Sequence, residues 1–224
     1  LGVIYAVAGL VIARFAFGMD LLPLLFPLAS GFALIGPIAA IGLYELSRRR
    51  EQGAEVRWVN AFDVFRAPAI GSILVLGAGL VVIFLLWILA AWVIFQNTLG
   101  PQTPTTVSKF IDVVFNTGAG HTMIIVGIGV GFLFAVLAMA ISVVSFPLLL
   151  DRDVGLDTAV KTSVRAAIRN PAAMAMWGAI VAAGLVLGSI PALIGLVVVV
   201  PILGHATWHL YRRVVLIGPE AGIH

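Results

Sequence analysis

Two histidines near the C-terminus are the side chains best suited to chemistry. His205 and His209 lie four positions apart, so a helix would place both imidazoles on nearly the same side. That spacing suits a metal ion, with Glu45, in a second segment of similar pattern, as a third ligand. However, the sequence lacks an H-E-x-x-H motif, and Trp208 lies between the two histidines. We therefore favour a structural, hydrogen-bonding role for the histidines over a metal site.

No other grouping of residues in the sequence is typical of catalysis. The chain has no Cys, which excludes disulfides, thiolate metal ligands and a cysteine nucleophile. A Ser-His-Asp arrangement, a phosphate-binding loop and paired catalytic carboxylates are also missing. Of the ionisable residues set deepest in apolar sequence, Arg14 is expected to reach the outer surface or to pair with Asp20. Glu45 is expected to bond the helix ends through His209 or an arginine. We predict a protein without catalytic residues and without a cofactor.

The composition places these residues in a membrane protein. The chain is 62% hydrophobic and 10% charged, with a mean hydropathy of +1.15, whereas a soluble domain is about half apolar and one quarter charged. We predict an all-α, polytopic helical bundle that forms a single domain over residues 1–224 and binds no nucleic acid. The six predicted spans cover about residues 1–18, 21–46, 69–95, 122–150, 172–187 and 192–213. The last two are separated at residues 188–191, because this stretch contains Gly188 and Pro191.

The distribution of basic residues predicts the orientation of the spans. With six spans, eleven of the thirteen Lys and Arg residues lie on one side, in segments 48–66, 152–169 and 212–213. The loop 96–120 on the opposite side contains only Lys109. Since positive residues stay on the cytoplasmic side, both ends are expected in the cytoplasm and the protein in the inner membrane. Within the loop, residues 106–115 are predicted to form a short helix that turns Phe110, Val113 and Val114 toward the membrane.

The two cytoplasmic connections are predicted to be amphipathic helices over residues 58–67 and 157–169. Trp58, Phe62 and Phe65 share one face of the first helix. In the second helix, Asp157 is the expected N-cap. Its predicted apolar stripe comprises Val160, Val164 and Ile168, and the adjacent basic stripe comprises Lys161, Arg165 and Arg169. Both helices are expected to lie in the headgroup layer, with their basic residues toward anionic lipid.

These connections suggest an internal repeat of an amphipathic helix followed by a transmembrane hairpin. An Arg-x-Pro step opens the third and fifth spans, and the second and sixth spans both end in a proline-to-Arg-Arg pattern. We infer three such units, and we expect the amphipathic helix of the first unit to precede Leu1. The residues assigned to structural or interface roles are Pro37, Tyr44, Arg66, Pro68, Pro147, Arg169, Pro171, Trp208 and Arg212.

Several motifs resemble those of a bacterial family of predicted integral membrane proteins of unknown function. They are PILGHATWHLYR at 201–212, SFPLLLDR at 145–152, Gly36-Pro37 before GLYE at 42–45, and RNP at 169–171. The resemblance extends over essentially the whole chain and implies a six-span inner-membrane protein. It implies no activity, since the family has no settled one.

Three functions remain open from the sequence. The first is a non-catalytic accessory subunit or assembly factor that packs against partners in a larger bacterial membrane complex, such as a respiratory or photosynthetic one. The second is a transporter or channel for a small solute or lipid, which glycine-interrupted, repeated spans would suit. The third, which we favour least, is an enzyme or metal protein built on His205, His209 and Glu45. The glycines within the spans are interpreted as helix-packing positions; they are Gly77, Gly79, Gly127, Gly129, Gly131, Gly178 and Gly184.

Overall fold

A computed structural model describes residues 34–100, 106–190 and 193–216, and single positions at 3, 7, 11, 27, 28 and 31. The described residues are all-helical, without a β-strand, as the composition predicts. The first predicted span, Arg14 and Asp20 lie outside them, apart from three isolated positions in that span.

Eight α-helices and one 3₁₀ helix make up the described residues. In chain order, α1 is Gly36–Glu51, the 3₁₀ helix is Trp58–Arg66, α2 is Ile70–Thr98, α3 is Val107–Asn116, α4 is Gly118–Ser142, α5 is Ser145–Asp151, α6 is Leu156–Arg169, α7 is Pro171–Ser189 and α8 is Leu196–Leu216.

Three helical stretches among the described residues are long and apolar enough to cross a membrane. They are Ile70–Thr98, Gly118–Asp151 and Pro171–Ser189, and they correspond to the third, fourth and fifth predicted spans. α8, the sixth predicted span, is not among them, because its residues 205–213 include two histidines and two arginines. The six-span topology and the repeat therefore remain predictions.

The predicted break between the last two spans is confirmed. α7 ends at Ser189 and α8 begins at Leu196. Between them Leu193 has a φ of 68°, a left-handed conformation that is unusual for a residue with a branched side chain. α7 also begins at Pro171 as predicted, since the first helical turn does not need the missing N–H of proline.

The fourth predicted span contains a break near its end that was not predicted from the sequence. α4 stops at Ser142 and α5 starts at Ser145. Pro147 explains the position of the break, because its ring lacks an N–H and clashes with the carbonyl four residues earlier, that of Val143. The break lies at the end of the bundle that carries segments 48–66, 152–169 and 212–213, which we call the basic end.

Both amphipathic connections are helical, but two details differ from the prediction. Residues 58–66 form a 3₁₀ helix rather than an α-helix, and Asn60 stabilises it by accepting from the Arg57 N–H at 2.8 Å and donating to Asp63 at 3.0 Å, each three residues away. The N-cap of α6 is Gly155, not Asp157. Asp157 instead lies in the first turn, where a carboxylate also suits the helix dipole.

The aromatic residues of the 3₁₀ helix point away from the protein core. Ala61 and Val64 are the buried residues of this helix, whereas Trp58 is 76% exposed and Phe65 is 68% exposed. The ring of Phe62 packs edge-on against Trp58 with 6.4 Å between centroids. This leaves an aromatic surface free for the membrane interface, where such side chains are enriched.

The short helix predicted in the loop opposite the basic end is confirmed as α3. Thr106 caps it by accepting a hydrogen bond from the Lys109 N–H. Val114 is buried, and Phe110 and Val113 pack beside it in a small cluster with Phe95 of α2. These apolar residues therefore face the neighbouring spans rather than the membrane, so the direction predicted for them is wrong, and they hold α3 against those spans.

The main core of the described residues lies toward the basic end. The largest fully buried side chains there are Trp208, Tyr211, Phe146 and Leu149, which α8 and α5 bring into one cluster with Tyr44 of α1. The core therefore joins the helix ends where the charged residues also meet.

Candidate functional site: the ion-pair network at the basic end

The packing of α1 along α8 sets up the site. Leu43 packs against Gly204, where an added Cβ would lie 2.6 Å from a Leu43 methyl carbon. Further along, Ser47 reaches His205, and Glu51 reaches Arg212. The partner numbers rise together on both helices, so α1 and α8 run parallel, and their polar ends come together on one side of the bundle.

Glu45 is a buried carboxylate held by two arginines. It is only 2% exposed, and it accepts hydrogen bonds from Arg48 Nε at 2.9 Å and from Arg49 Nε at 2.9 Å. These arginines lie three and four positions further along the same helix, the spacing at which side chains meet. The expectation that Glu45 bonds an arginine is therefore confirmed, and its alternative partner, His209, lies elsewhere.

Arg49 extends this cluster to the 3₁₀ helix. Its Nη2 atom lies 2.8 Å from Asp63 Oδ2, so one guanidinium bridges Glu45 and Asp63. Arg66, one of the predicted interface residues, is a looser partner of Asp63 at 3.6 Å, and its side chain is largely exposed. The ion pairs between Arg49 and both carboxylates thus fix the 3₁₀ helix against α1.

A second cluster joins α1, α5 and α8 through Arg212. Its Nη1 atom donates to Asp151 Oδ2 at 3.0 Å, and its Nε atom lies 3.2 Å from Glu51 Oε2. The Tyr211 hydroxyl donates to the same Asp151 oxygen at 2.6 Å. Charge-assisted hydrogen bonds of this length are among the stronger polar contacts, so the interface role predicted for Arg212 has a geometric basis.

The two histidines have different partners. His205 Nδ1 lies 2.6 Å from Ser47 Oγ, and the Ser47 hydroxyl donates to the Leu43 carbonyl. With its own proton directed at Leu43, Ser47 Oγ can accept from the imidazole in the tautomer that carries a proton on Nδ1. His209 is mostly exposed and lies 4.0 Å from Glu51.

The structure does not bring His205, His209 and Glu45 together as a metal site. Glu45 is occupied by its arginines, and the histidines lie against Ser47 and Glu51. Within the described residues there is no group of three or more His, Cys, Asp or Glu side chains that could hold a metal ion. The hydrogen-bonding role that we favoured for the histidines stays a prediction: His205 has a contact of hydrogen-bond length with Ser47, whereas His209 approaches Glu51 only to 4.0 Å.

Aromatic residues fill the space between the two ion-pair clusters. Trp208 and Tyr211 are fully buried, with 5.4 Å between their ring centroids. Tyr44 is also buried, and its hydroxyl lies near Thr207. Among the buried side-chain nitrogens and oxygens of the described residues, only Trp208 Nε1 lacks a partner. Tyr44 and Trp208, which were assigned structural or interface roles, thus pack between α1 and α8.

Three residues of this network, Ser47, Glu51 and Asp63, were not singled out from the sequence. Their contacts join separate helices, so helical periodicity does not reveal them. The Asn60-x-x-Asp63 spacing was the one local signal available, because side chains three residues apart meet on a 3₁₀ helix.

A second feature lies within the spans. An apolar groove of about 240 Å³ opens between α2 and α4, lined by Leu34, Trp87, Gly127, Ile128, Gly131, Phe132 and Ala135. Trp87 forms its floor and is fixed by a hydrogen bond from its indole to the Pro27 carbonyl at 2.9 Å and by the ring of Phe134. The groove offers only packing surface, whereas the basic end offers ion pairs that tie helix ends together.

Comparisons with known proteins identify the family of the chain. Searches of curated proteins and of solved structures found no significant match. The sequence model of one family matches residues 25–151, more than half of the 224 residues. That region includes Glu45, Asp63 and Asp151, but it ends before the motif at 201–212. The chain therefore belongs to the family described as "predicted integral membrane protein (DUF2189)".

Proposed function

We propose that this protein is a non-catalytic integral membrane subunit or assembly factor, whose exposed helix faces pack against partner proteins in a larger membrane complex. The network at the basic end supports this role. Its charged side chains are directed at one another rather than at an open cavity, so they join α1, α5, α8 and the 3₁₀ helix. The ion pairs of the basic end hold the helices together, and the outer faces of these helices remain available to bind partner proteins.

The glycines of α4 are the observation that carries this proposal. No residue from 121 to 137 is buried, and a Cβ built at Gly127 or Gly129 would meet nothing within 4 Å. Glycine costs about 1 kcal/mol in a helix relative to alanine. In membranes this cost is offset when small residues let another helix approach closely. Exposure alone would not carry the proposal, because lipid tails also cover apolar surfaces.

α7 supports the same conclusion. Only 11% of its most apolar stretch is buried, and only 6% of that of Gly118–Asp151. Alanines at 172, 175, 179, 182 and 183 are among its exposed residues. Both helices therefore have surface available for partner helices.

The alternative of a transporter receives less support. A solute pathway needs polar groups near the bilayer midplane, whereas the groove between α2 and α4 is lined by apolar side chains and glycine. Its glycines are the same positions that suit close helix packing.

The first test is gentle solubilisation of native membranes, size separation and mass spectrometry of the proteins that travel with this chain. We expect co-migration with a defined set of membrane proteins. In the Gly127→Leu/Gly129→Leu variant this co-migration should be lost, because the added side chains keep a partner helix away.

Gly71→Leu is the matched control, since Gly71 on α2 also has open space beside it but lies at a helix end. Its complex should remain intact. Wild-type protein that migrates alone as a monomer would refute the proposal, and loss of the complex in the control variant as well would remove the assignment to α4.

A further inference from the structure

The helix α6 has three distinct faces. Its buried face is small, formed by Ala159, Ser163 and Ala166. The predicted apolar stripe lies beside it and becomes more exposed along the helix, until Ile168 is 73% exposed. The third face is the basic stripe, which is exposed throughout.

Two arginines of the basic stripe have no counter-charge among the described residues. Lys161 is paired with Asp157 at 3.2 Å, and this hydrogen bond lowers the pKa of the Asp157 carboxyl. Within the described part of the chain, neither Arg165 nor Arg169 takes part in an ion pair, although the nearby basic end is rich in them. The unpaired positive charge of α6 is therefore concentrated in its last two turns, on both sides of the exposed Ile168.

The small buried face of α6 supplies hydrogen-bond partners to residues at the break between α4 and α5. The Val144 N–H, which the break frees from its helical partner, donates to Ser163 Oγ at 3.2 Å. In return Ser145 Oγ donates to the Ala159 carbonyl at 3.2 Å and to the Ile141 carbonyl at 2.6 Å. These bonds satisfy backbone groups that would otherwise be costly to bury, so the broken span depends on the position of α6.

We propose that anionic phospholipid headgroups bind Arg165 and Arg169 and thereby hold α6 against the α4–α5 break. The lipid surface acts on the surface helix, and the Ser163–Val144 hydrogen bond carries the effect into the span. This inference is independent of the proposed role as a subunit.

Position and charge both select a lipid surface as the occupant. Arg169 is followed directly by Asn170 and by α7, a candidate span, so chain connectivity fixes the end of α6 at the membrane boundary. Residues 165, 168 and 169 lie on one side of the helix. Ile168 can enter the apolar layer there while both guanidinium groups meet phosphate, for which arginine has a bidentate geometry.

The experiment is hydrogen exchange measured by mass spectrometry in two sets of nanodiscs. One contains phosphatidylcholine, and the other contains phosphatidylcholine with phosphatidylglycerol of the same acyl chains, so that thickness is matched. Basic residues near an anionic surface each contribute about 1 kcal/mol. For two arginines we expect exchange of the peptide containing Val144 to be about thirtyfold slower in the discs that contain phosphatidylglycerol.

Three variants locate the effect. Arg165→Gln/Arg169→Gln should exchange equally in both discs, and Arg165→Lys/Arg169→Lys should retain most of the difference because it keeps the charge. Ser163→Ala should lose the lipid dependence at Val144 but still associate with anionic lipid. Lys109→Gln, on the opposite side of the protein, is the control and should behave as wild type.

Equal exchange of the wild type in both discs would overturn the proposal, whatever the variants do. A lipid dependence that persists in Arg165→Gln/Arg169→Gln would also overturn it, since the headgroups would then act elsewhere. If that double variant does not fold, the wild-type comparison at low and high salt replaces it. High salt should remove the difference, because screening weakens exposed charge interactions, and a difference that salt does not change would refute the proposal.

Discussion

At the residue scale, Glu45 shows how a nearly charge-free bundle accommodates a buried carboxylate. It is fully enclosed by protein, yet two arginines from the next turn of its own helix hydrogen-bond to it. Burying a charge is costly unless it is paired and hydrogen-bonded. Glu45 therefore stabilises the helix end only as part of this group.

The first prediction concerns the charge of Glu45. Glu45→Gln keeps the size of the side chain but leaves the Arg48 and Arg49 guanidinium groups without their shared anion. We expect it to lower the free energy of unfolding by about 2 kcal/mol, measured by equilibrium unfolding in mixed detergent micelles.

Glu55→Gln is the matched control for this prediction. Glu55 pairs with Arg57, but both side chains are at least 70% exposed, and exposed pairs contribute about 0–1 kcal/mol. Equal effects of the two substitutions would contradict the importance of burial at Glu45.

The sequence predicts part of this chemistry. An arginine partner for Glu45 follows from spacing within one helix. The contacts of Arg49 with Asp63 and of Arg212 with Asp151 depend on how separate helices pack, and no local pattern encodes that. The histidine pair shows the limit of local patterns. His205 and His209 do share a side of α8, but the first lies against Ser47 of α1 and the second near Glu51.

At the element scale, the crossing of α1 and α8 depends on Gly204. A Cβ at this position would lie 2.6 Å from Leu43 Cδ1 and 3.0 Å from Leu43 Cβ. The methyl carbon can rotate away, but the Cβ moves only with the backbone of α1. The close approach of the helices that brings Ser47 to His205 and Glu51 to Arg212 thus requires a glycine.

The second prediction is that Gly204→Ala separates these helices at a cost of about 1–3 kcal/mol in stability. The same unfolding measurement checks it. In the double variant Gly204→Ala/Leu43→Ala the cost should be smaller than the sum of the two single costs by at least about 0.5 kcal/mol.

Gly79→Ala serves as its control, since an added Cβ there meets nothing within 4 Å. That variant should be neutral or slightly stabilised. Additive costs at Gly204 and Leu43 would show that the two residues do not press on each other.

The helices themselves were largely predictable, because long apolar runs bounded by Pro, Gly and charged residues leave few alternatives in lipid. Two features were not. The 3₁₀ helix depends on side-chain bonds of Asn60, and the break after Ser142 depends on Ser163 from another helix to accept the freed Val144 N–H. In both places a side-chain hydrogen bond stabilises a departure from the regular α-helix.

At the scale of the whole molecule, the basic residues and the core lie at the same end of the described helices. The orientation inferred from Lys and Arg, in which that end is cytoplasmic, stays a prediction. The orientation and the six-span count were argued from sequence, and parts of both concern residues before 34.

The third prediction tests this orientation. The chain contains no Cys, so single substitutions report their own side of the membrane. Ser108→Cys on α3 and Thr158→Cys on α6 both replace exposed residues. In intact cells we expect a membrane-impermeant maleimide to label only Ser108→Cys, and in inverted vesicles only Thr158→Cys. Labelling of both from the same side would refute the topology, and the reversed result would invert it.

The parallel contact between α1 and α8 also has a consequence for biosynthesis. Ser47 and His205 are separated by 158 residues, and a ribosome adds about 5–20 residues per second. α1 therefore enters the membrane roughly 10–30 s before α8 can reach it. During that interval Glu51 cannot yet pair with Arg212, whereas Glu45 can already pair with Arg48 and Arg49 of its own helix. Among the described helices, the order of synthesis thus makes the contacts of the basic end with α8 the last to form.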